Sequence, residues 1–349
     1  MNNNNYRYII YGAGAVGSTV GGLLALSGKE AVLVGRKEHI EKIDADGLIL
    51  NSYDESLTVN IPSFCSLTDF QPQENDVIVL CVKSQDTIES IEDIRKSYAV
   101  VTPVISLQNS VLNEPEIAKY FPNCYGGVFR MTSFIPCTGS VNYRKTGRII
   151  LGRYPSGTDD FIISVESDLA DAGFDTDISM KIMNDKWLKL ALNVTSVATG
   201  IFSNQGIDRN LTNRIKIKLL DELETVLWTA DIDTTPCCSK DKTIGQMINH
   251  FGKPAKPYEP KIPVYNSTWA GLQKGDRLET SYFLGVIIDL ARQYGISVPI
   301  HTKISEMSDF LEKNKLNQEY FQQKDIEEIL NKEKGDRRQE TGIIRIPIL

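Results

Sequence analysis

With 349 residues, of which 41% are apolar and 24% charged, the chain is long enough for two cores of ordinary size and has the composition of a globular protein. Its 38 basic against 45 acidic side chains give a net charge of -7, which excludes a general polyanion-binding surface, so nucleic acid is not an expected partner. No run is apolar and long enough to span a bilayer, and the asparagine-rich start shows no export pattern, so no membrane partner is expected.

The cysteines Cys65, Cys81, Cys124, Cys137, Cys237 and Cys238 include no CxxC pair, and the adjacent Cys237 and Cys238 are poorly suited to an ordinary bridge. A reduced, cytoplasmic setting is expected. His39, His250 and His301 are scattered without metal-ligand spacing, so no metal site is expected.

In chain order, residues 8–11, 31–34, 76–82 and 100–107 read as buried strands alternating with helical stretches. That alternation predicts an α/β fold whose N-terminal part is a Rossmann domain with a mostly parallel sheet and helices on both faces. Residues 125–129 and 148–151 extend the sheet, with turns near Gly139 and Gly147.

After Asp177 the period lengthens. Met183, Trp187, Leu190, Val194, Val197 and Ile201 recur at steps of three and four, which predicts a helix with one apolar face. Residues 215–230 and 282–294 repeat the habit, so the C-terminal domain should be mainly helical. The prolines within 252–263 read as a loop between two of its helices. Beyond Lys313 the chain is charged and glutamine-rich, with one helix near 325–330 and an apolar tip at 343–349. The expected organisation is a dinucleotide-binding domain at 1–179, a helical substrate and catalytic domain at 180–313, and a charged tail at 314–349.

Gly12-Ala13-Gly14-Ala15-Val16-Gly17 follows the first strand and opens a stretch rich in small residues. This is the dinucleotide-binding fingerprint in its required context. Gly12 permits the tight turn, Gly14 lets the backbone approach a pyrophosphate, and Gly17 lets the helix pack on the sheet, while the helix start offers N–H groups to the phosphates. At the end of the second strand, where an NAD enzyme usually presents an acid, stands Arg36. A guanidinium pairs with a 2′-phosphate that a carboxylate would repel, so NADP is the expected cofactor.

Lys189 and Asn193 are four residues apart on the first predicted helix of the second domain and share a face. A lysine held near a carbonyl oxygen can donate a proton as hydride arrives on the carbon.

Taken together, Gly12 to Gly17, Arg36, Val82-Lys83, Gln108-Asn109, Lys186-Trp187-Leu188-Lys189-Leu190 with Asn193, and Ser267-Thr268-Trp269 followed by Glu279 make the chain resemble the ketopantoate reductase family from about Tyr6 to Leu311. The resemblance implies NADPH-dependent reduction of 2-dehydropantoate to pantoate, a small 2-oxo acid substrate, and Lys189 as general acid. It also implies that Glu279 stands by the reacting carbonyl or hydroxyl, that Ser267 binds the substrate carboxylate, that Asn193 adds a hydrogen bond, and that at strand ends near the nicotinamide Lys83 and Gln108 bind the cofactor and Asn109 the substrate.

Three positions depart from the family pattern. Ser110 stands where the family usually has glycine, Val197 where it has a second asparagine, and Ala270-Gly271 where it has Gln-Asp. They keep open a different small 2-oxo acid as substrate. A third reading, a sensor that binds NADPH without catalysis, is opposed by the presence of Lys189, Glu279 and Ser267 together.

Overall fold

The structure, a computed structural model, describes residues 5–52, 54–144, 147–202, 207–255 and 266–340. The apolar tip expected at 343–349, and residues 256–263 of the expected proline-rich loop, lie outside them.

The first elements are β1 (Arg7–Tyr11), α1 (Ala15–Leu26), β2 (Glu30–Val34), α2 (Lys37–Asp46), β3 (Leu48–Asn51), β4 (Ser56–Val59), β5 (Ser63–Phe64), β6 (Asp76–Leu80) and α3 (Thr87–Ser97). They are followed by β7 (Val104–Ser106), α4 (Asn113–Ala118), β8 (Cys124–Phe129), β9 (Ser133–Phe134), β10 (Ser140–Tyr143), β11 (Arg148–Arg153), α5 (Asp160–Asp171) and β12 (Asp175–Ile178). From there the chain is helical: α6 (Ile182–Ile201), α7 (Arg209–Thr229), α8 (Ile244–Phe251), α9 (Ser267–Lys274), α10 (Leu284–Gln293), α11 (Pro299–Lys313) and α12 (Gln323–Glu340). The chain divides into two compact units, one of residues 1–190 with 233–241 and one of residues 191–232 with 242–349. The division falls inside α6, eleven residues beyond the change of sequence character at 179, and the short segment 233–241 rejoins the first unit.

The first unit is built on an eight-stranded sheet in the order β12-β11-β8-β7-β6-β1-β2-β5. Its pairings are parallel except that of β11 on β8. From β1 the chain first moves outward through β2 to β5, then returns to β6 and continues through β7 to β8. The strand order therefore reverses beside β1, the position where open α/β sheets bind ligands at the carboxyl ends of their strands.

Alternation along the strands covers both faces. Tyr8, Ile10, Leu33, Val77 and Val79 enter one core cluster, while Ile9, Val32, Val34, Ile78 and Leu80 enter another. At the start of β1 the Arg7 guanidinium grips Asp76 of β6 with two hydrogen bonds, Nε to Oδ1 at 2.6 Å and Nη2 to Oδ2 at 2.8 Å. This buried fork locks the two central strands in register.

Three local expectations differ from the structure. Of residues 100–107 only Val104–Ser106 form a strand, because Val100 and Val101 are exposed and Thr102 donates back to the Ala99 carbonyl in a turn. The four-stranded sheet β4-β3-β10-β9 was not expected; its strands are two to four residues long, too short for periodicity to mark. The expected single apolar face of α6 is also too narrow. Leu188, Ala191 and Ala198 are buried along with Leu190, Val194, Val197 and Ile201, so that helix is enclosed on most sides.

The second unit packs α7, α8, α10, α11 and α12 around Leu219, Leu220, Leu223, Ile287, Ile304, Leu311 and Ile326, all fully buried. The expected helix at 282–294 begins as a 3-10 turn, Thr280–Tyr282, and becomes α10 at Leu284. Pro299 opens α11, which has no cap of its own; the Glu222 carboxylate of α7 accepts from the Ile300 and His301 backbone N–H groups at 2.8 and 3.0 Å instead. The helix expected near 325–330 lies within α12. Among the described residues no helix is long and apolar enough to cross a membrane.

Candidate active site

The glycine loop carries the backbone that its residue types predict. Gly12 has φ +107°, and a Cβ there would stand 2.7 Å from the Val82 nitrogen, so both the dihedral and the space require glycine. The Gly12 and Ala13 N–H groups donate to the Val34 carbonyl at 2.9 Å, which pins the turn to the end of β2. A Cβ on Gly17 would collide with the Gly12 carbonyl oxygen, so α1 starts hard against the loop. Gly14, the N-cap of α1, has open space on its Cβ side.

α1 has neither a side-chain cap nor an acidic residue in its first turn. The first turn of α1 therefore supplies neither a cap nor an anion of its own to the positive end of the helix dipole. Ala13, Ala15 and Val16 fill the loop between the glycines with small or apolar side chains, and Ala13 is buried. Arg36 follows β2, is exposed, and occupies the N-cap position of α2 without a side-chain capping bond. The donor set fits a dinucleotide: N–H groups for a pyrophosphate at the start of α1, and an exposed guanidinium at the end of the neighbouring strand β2.

The loops after β6 and β7 are tied into one piece. Lys83 is half-buried at the start of the 3-10 turn Ser84–Asp86. The Gln108 amide is buried and donates to the Val82 carbonyl at 3.1 Å and to Thr87 Oγ1 at 2.7 Å. The Asn109 carbonyl accepts from Ser84 Oγ at 3.2 Å and from Asn113 Nδ2 at 2.6 Å. Ser110 has φ +73°, which explains why a glycine suits this place: an L side chain is strained there.

Lys186 on α6 reaches the same loops. Its ammonium is buried, donates to the Gln108 carbonyl at 2.7 Å, and lies 2.6 Å from the buried carboxylate of Glu114. One turn on, Lys189 is half-buried. Burial, and then the positive charge of Arg130, push Lys189 down to about 8; Lys186 acts in the same direction and Asp241 opposes. An amine poised near neutrality can hold a proton and give it up, which is what general acid catalysis asks of it.

Sequence reasoning missed Arg130, Arg148 and Asp241 in this unit. Asp241 Oδ2 lies 2.9 Å from Arg130 Nε and also pairs with Arg148 Nη2. Arg148 Nη1 bonds Asp177 Oδ2 at 2.9 Å and Cys238 Sγ at 2.8 Å. The one available signal was Arg130, a basic residue directly after an expected strand.

In the second unit, Asn193 is buried one turn after Lys189 on α6. Asn266 Oδ1 caps α9 through the Trp269 N–H at 2.8 Å, which leaves Ser267, exposed in the first turn, without the capping role. Asn266 Nδ2 also donates to the Ser196 carbonyl of α6 at 2.9 Å, and a Cβ on Gly200 would crowd Thr268, so α9 is seated closely on α6. Glu279 is half-buried and precedes the 3-10 turn rather than lying in a helix's first turn.

Residues 8–156 match the family model described as ketopantoate reductase PanE/ApbA, and residues 181–312 match that of its C-terminal part. The chain belongs to the ketopantoate reductase family. It is accordingly an oxidoreductase. The 2-dehydropantoate 2-reductase of Pyrococcus horikoshii is 29% identical over 304 residues, covering 84% of this chain and 94% of that one. The enzyme of the same name from Lactococcus lactis is 24% identical over 297 residues, with the same coverage. Among solved structures, a PanE/ApbA family ketopantoate reductase from Ralstonia eutropha superposes with a TM-score of 0.73 at 22% identity, covering 89% of this chain and 99% of that one. D-mandelate dehydrogenase with NADH and anilino(oxo)acetate superposes at 0.76 and 22% identity, covering 88% and 99%. These two carry the family's fold.

The departures from the family pattern now have physical settings. Val197 is fully buried, part of the core rather than a polar contact. Gly271 lies on α9 where a Cβ would stand 2.7 Å from Leu278 Cδ2, so a carboxylate side chain there would displace that leucine.

Proposed function

We propose that the protein reduces 2-dehydropantoate to pantoate with NADPH, Lys189 being the proton donor. The observation that carries this reading is Lys189 itself: a half-buried amine brought down to about 8 in the family's Lys-x-x-x-Asn position. The glycine loop and the α1 N-terminus would hold the cofactor pyrophosphate, and Arg36 would pair with the 2′-phosphate. When bound, the nicotinamide supplies hydride to the substrate carbon.

The Lys189 ammonium donates its proton to the substrate oxygen as negative charge develops there. Lys186, held between Glu114 and the Gln108 carbonyl, fixes the start of α6 against the strand-end loops and so fixes where Lys189 begins. Lys83, Gln108 and Asn109 shape those loops; Asn193 and Ser267 bind the substrate's polar groups and Glu279 orients its reacting oxygen.

The test is NADPH oxidation with 2-dehydropantoate, beside NADH and a panel of other small 2-oxo acids, in wild type, Lys189→Ala and Arg36→Ala. The reading requires turnover that favours NADPH, collapses in Lys189→Ala, and loses its preference over NADH in Arg36→Ala. Full turnover by Lys189→Ala refutes the proton assignment. Val197 in the core favours a second reading, another 2-oxo acid as the preferred substrate, which the panel decides.

A further inference from the structure

Arg130 immediately follows β8, and its backbone N–H donates to the Arg148 carbonyl at 2.8 Å as β8 meets antiparallel β11. Because β1, β6, β7 and β8 run parallel, Arg130 stands at the carboxyl edge of the sheet, the same edge that carries the glycine loop after β1 and Asn109 after β7. Its side chain is 9% exposed. Among the described residues, Asp241 is the only carboxylate that pairs with it, and that carboxylate is shared with Arg148, which has Asp177 as a second acceptor. Both Nε and Nη2 of Arg130 are buried without a hydrogen-bond partner among the described residues; Nε has the ion pair with Asp241 at 2.9 Å, and Nη2 has no such contact.

A guanidinium nitrogen enclosed without an acceptor is costly, and such exceptions in native proteins call for a ligand or a function. The electrostatics agree: burial lowers the Arg130 pKa against the pull of Asp241, and the Arg130 charge is felt at Lys189. An anion beside Nη2 would remove both penalties. Two anions belong to the proposed reaction, the cofactor phosphates and the substrate carboxylate. The phosphates belong at the glycine loop, three strand positions from β8, or about 14 Å across the sheet. The carboxylate lies on the molecule that Lys189 must reach.

We propose that Arg130 is a specificity-determining residue, its buried Nη2 receiving the carboxylate of the 2-oxo acid substrate close to Lys189. The inference rests on the reading of this site as that of a 2-oxo acid reductase. It also supplies a polar contact in a chain that has Val197 where the family has a second asparagine. The ion pair with Asp241 positions the guanidinium, while Nη2 offers the charge-assisted bond.

The experiment compares wild type, Arg130→Met and Arg130→Lys on 2-dehydropantoate and on its carboxamide analogue, with NADPH affinity measured separately by fluorescence. In Arg130→Met, KM for the acid should rise about 30-fold or more, as expected for a lost bond to a charged group. The loss on the carboxamide should be several-fold smaller than on the acid, because a neutral amide makes only an ordinary hydrogen bond to the guanidinium, and the NADPH affinity should stay within about twofold. Arg130→Lys keeps a charge beside Asp241 without the fork and should fall between; it carries the comparison if the methionine variant does not fold. Equal losses on acid and amide, or no loss on either, overturn the proposal.

Binding of oxamate to the NADP complex by calorimetry gives a readout independent of turnover, and Arg130→Met should abolish it. If wild type binds oxamate through Arg130 yet does not reduce 2-dehydropantoate, the proposed substrate is wrong and the carboxylate assignment stands. If wild type reduces 2-dehydropantoate and Arg130→Met does so with unchanged KM, the assignment is wrong and the proposed function stands.

Discussion

Replacing Lys189 by methionine should change the pH dependence of stability, with sign and size set by the folded structure. An unperturbed lysine titrates at 10.5, and in the fold Lys189 is brought down to about 8. The unfolded chain therefore binds more protons than the native one between those two values, so native stability rises with pH across that window. Below about pH 8 the native protein carries the full penalty of a desolvated ammonium beside Arg130 and Lys186, at most about 3 kcal/mol from the width of the window. Methionine has a similar length and no charge, so it removes the penalty.

The assay is urea denaturation of wild type and Lys189→Met at pH 7 and pH 9.5. Lys216, which burial also brings down to about 8, contributes the same slope to both proteins and cancels in the difference. The variant should be the more stable at pH 7, and its advantage should shrink by about 2 kcal/mol at pH 9.5. A difference that is flat with pH would falsify the claim that the half-buried Lys189 amine is depressed. The proton-donor role would then lose its physical basis. The same titration predicts that kcat declines as pH rises through about 8, when the ammonium that donates the proton is lost.

Three other substitutions test the scaffold. Ser110→Gly should raise stability by about 1 kcal/mol, because glycine adopts φ +73° without strain and the variant removes a buried hydroxyl without a partner among the described residues; an unchanged or lower denaturation midpoint counts against it. Glu222→Leu strips two acceptors from the first turn of α11 and should cost about 2 kcal/mol, read as faster amide exchange at Ile300 and His301; unchanged exchange refutes it. Arg7→Met leaves the Asp76 carboxylate buried without its guanidinium, and about 3 to 5 kcal/mol should be lost at pH 7, by thermal or urea unfolding. A loss under 1 kcal/mol would mean that the fork between β1 and β6 contributes little.

The geometry of the glycine loop was legible because its requirements are local. Gly12, Gly14 and Gly17 answer to one turn and one helix start, and their spacing in the chain is their spacing in the fold. Arg36 could be placed because a strand end is visible as the end of an apolar run. Lys189 and Asn193 could be found by their spacing on a helix, but the depressed pKa could not, since its causes lie on other elements. The Arg130, Arg148 and Asp241 cluster draws on the ends of β8 and β11 and on a segment 93 residues after Arg148, a pairing that no period reports. The same holds for the sheet of β3, β4, β9 and β10, which is closed by the distant pairing of β3 with β10, Ile49 against Ser140.

The return of residues 233–241 to the first unit bears on how this family can be recombined. A clone that stops at Leu190 would encode the whole eight-stranded sheet yet omit Asp241, so Arg130 and Arg148 would face each other with their shared counterion gone. Swapping the helical part between relatives would import a foreign 233–241 into a sheet edge that did not evolve with it. The unit of exchange is therefore not a contiguous stretch of gene, and a chimaera that keeps its own nine-residue insert should fold better than one cut at the helix boundary alone.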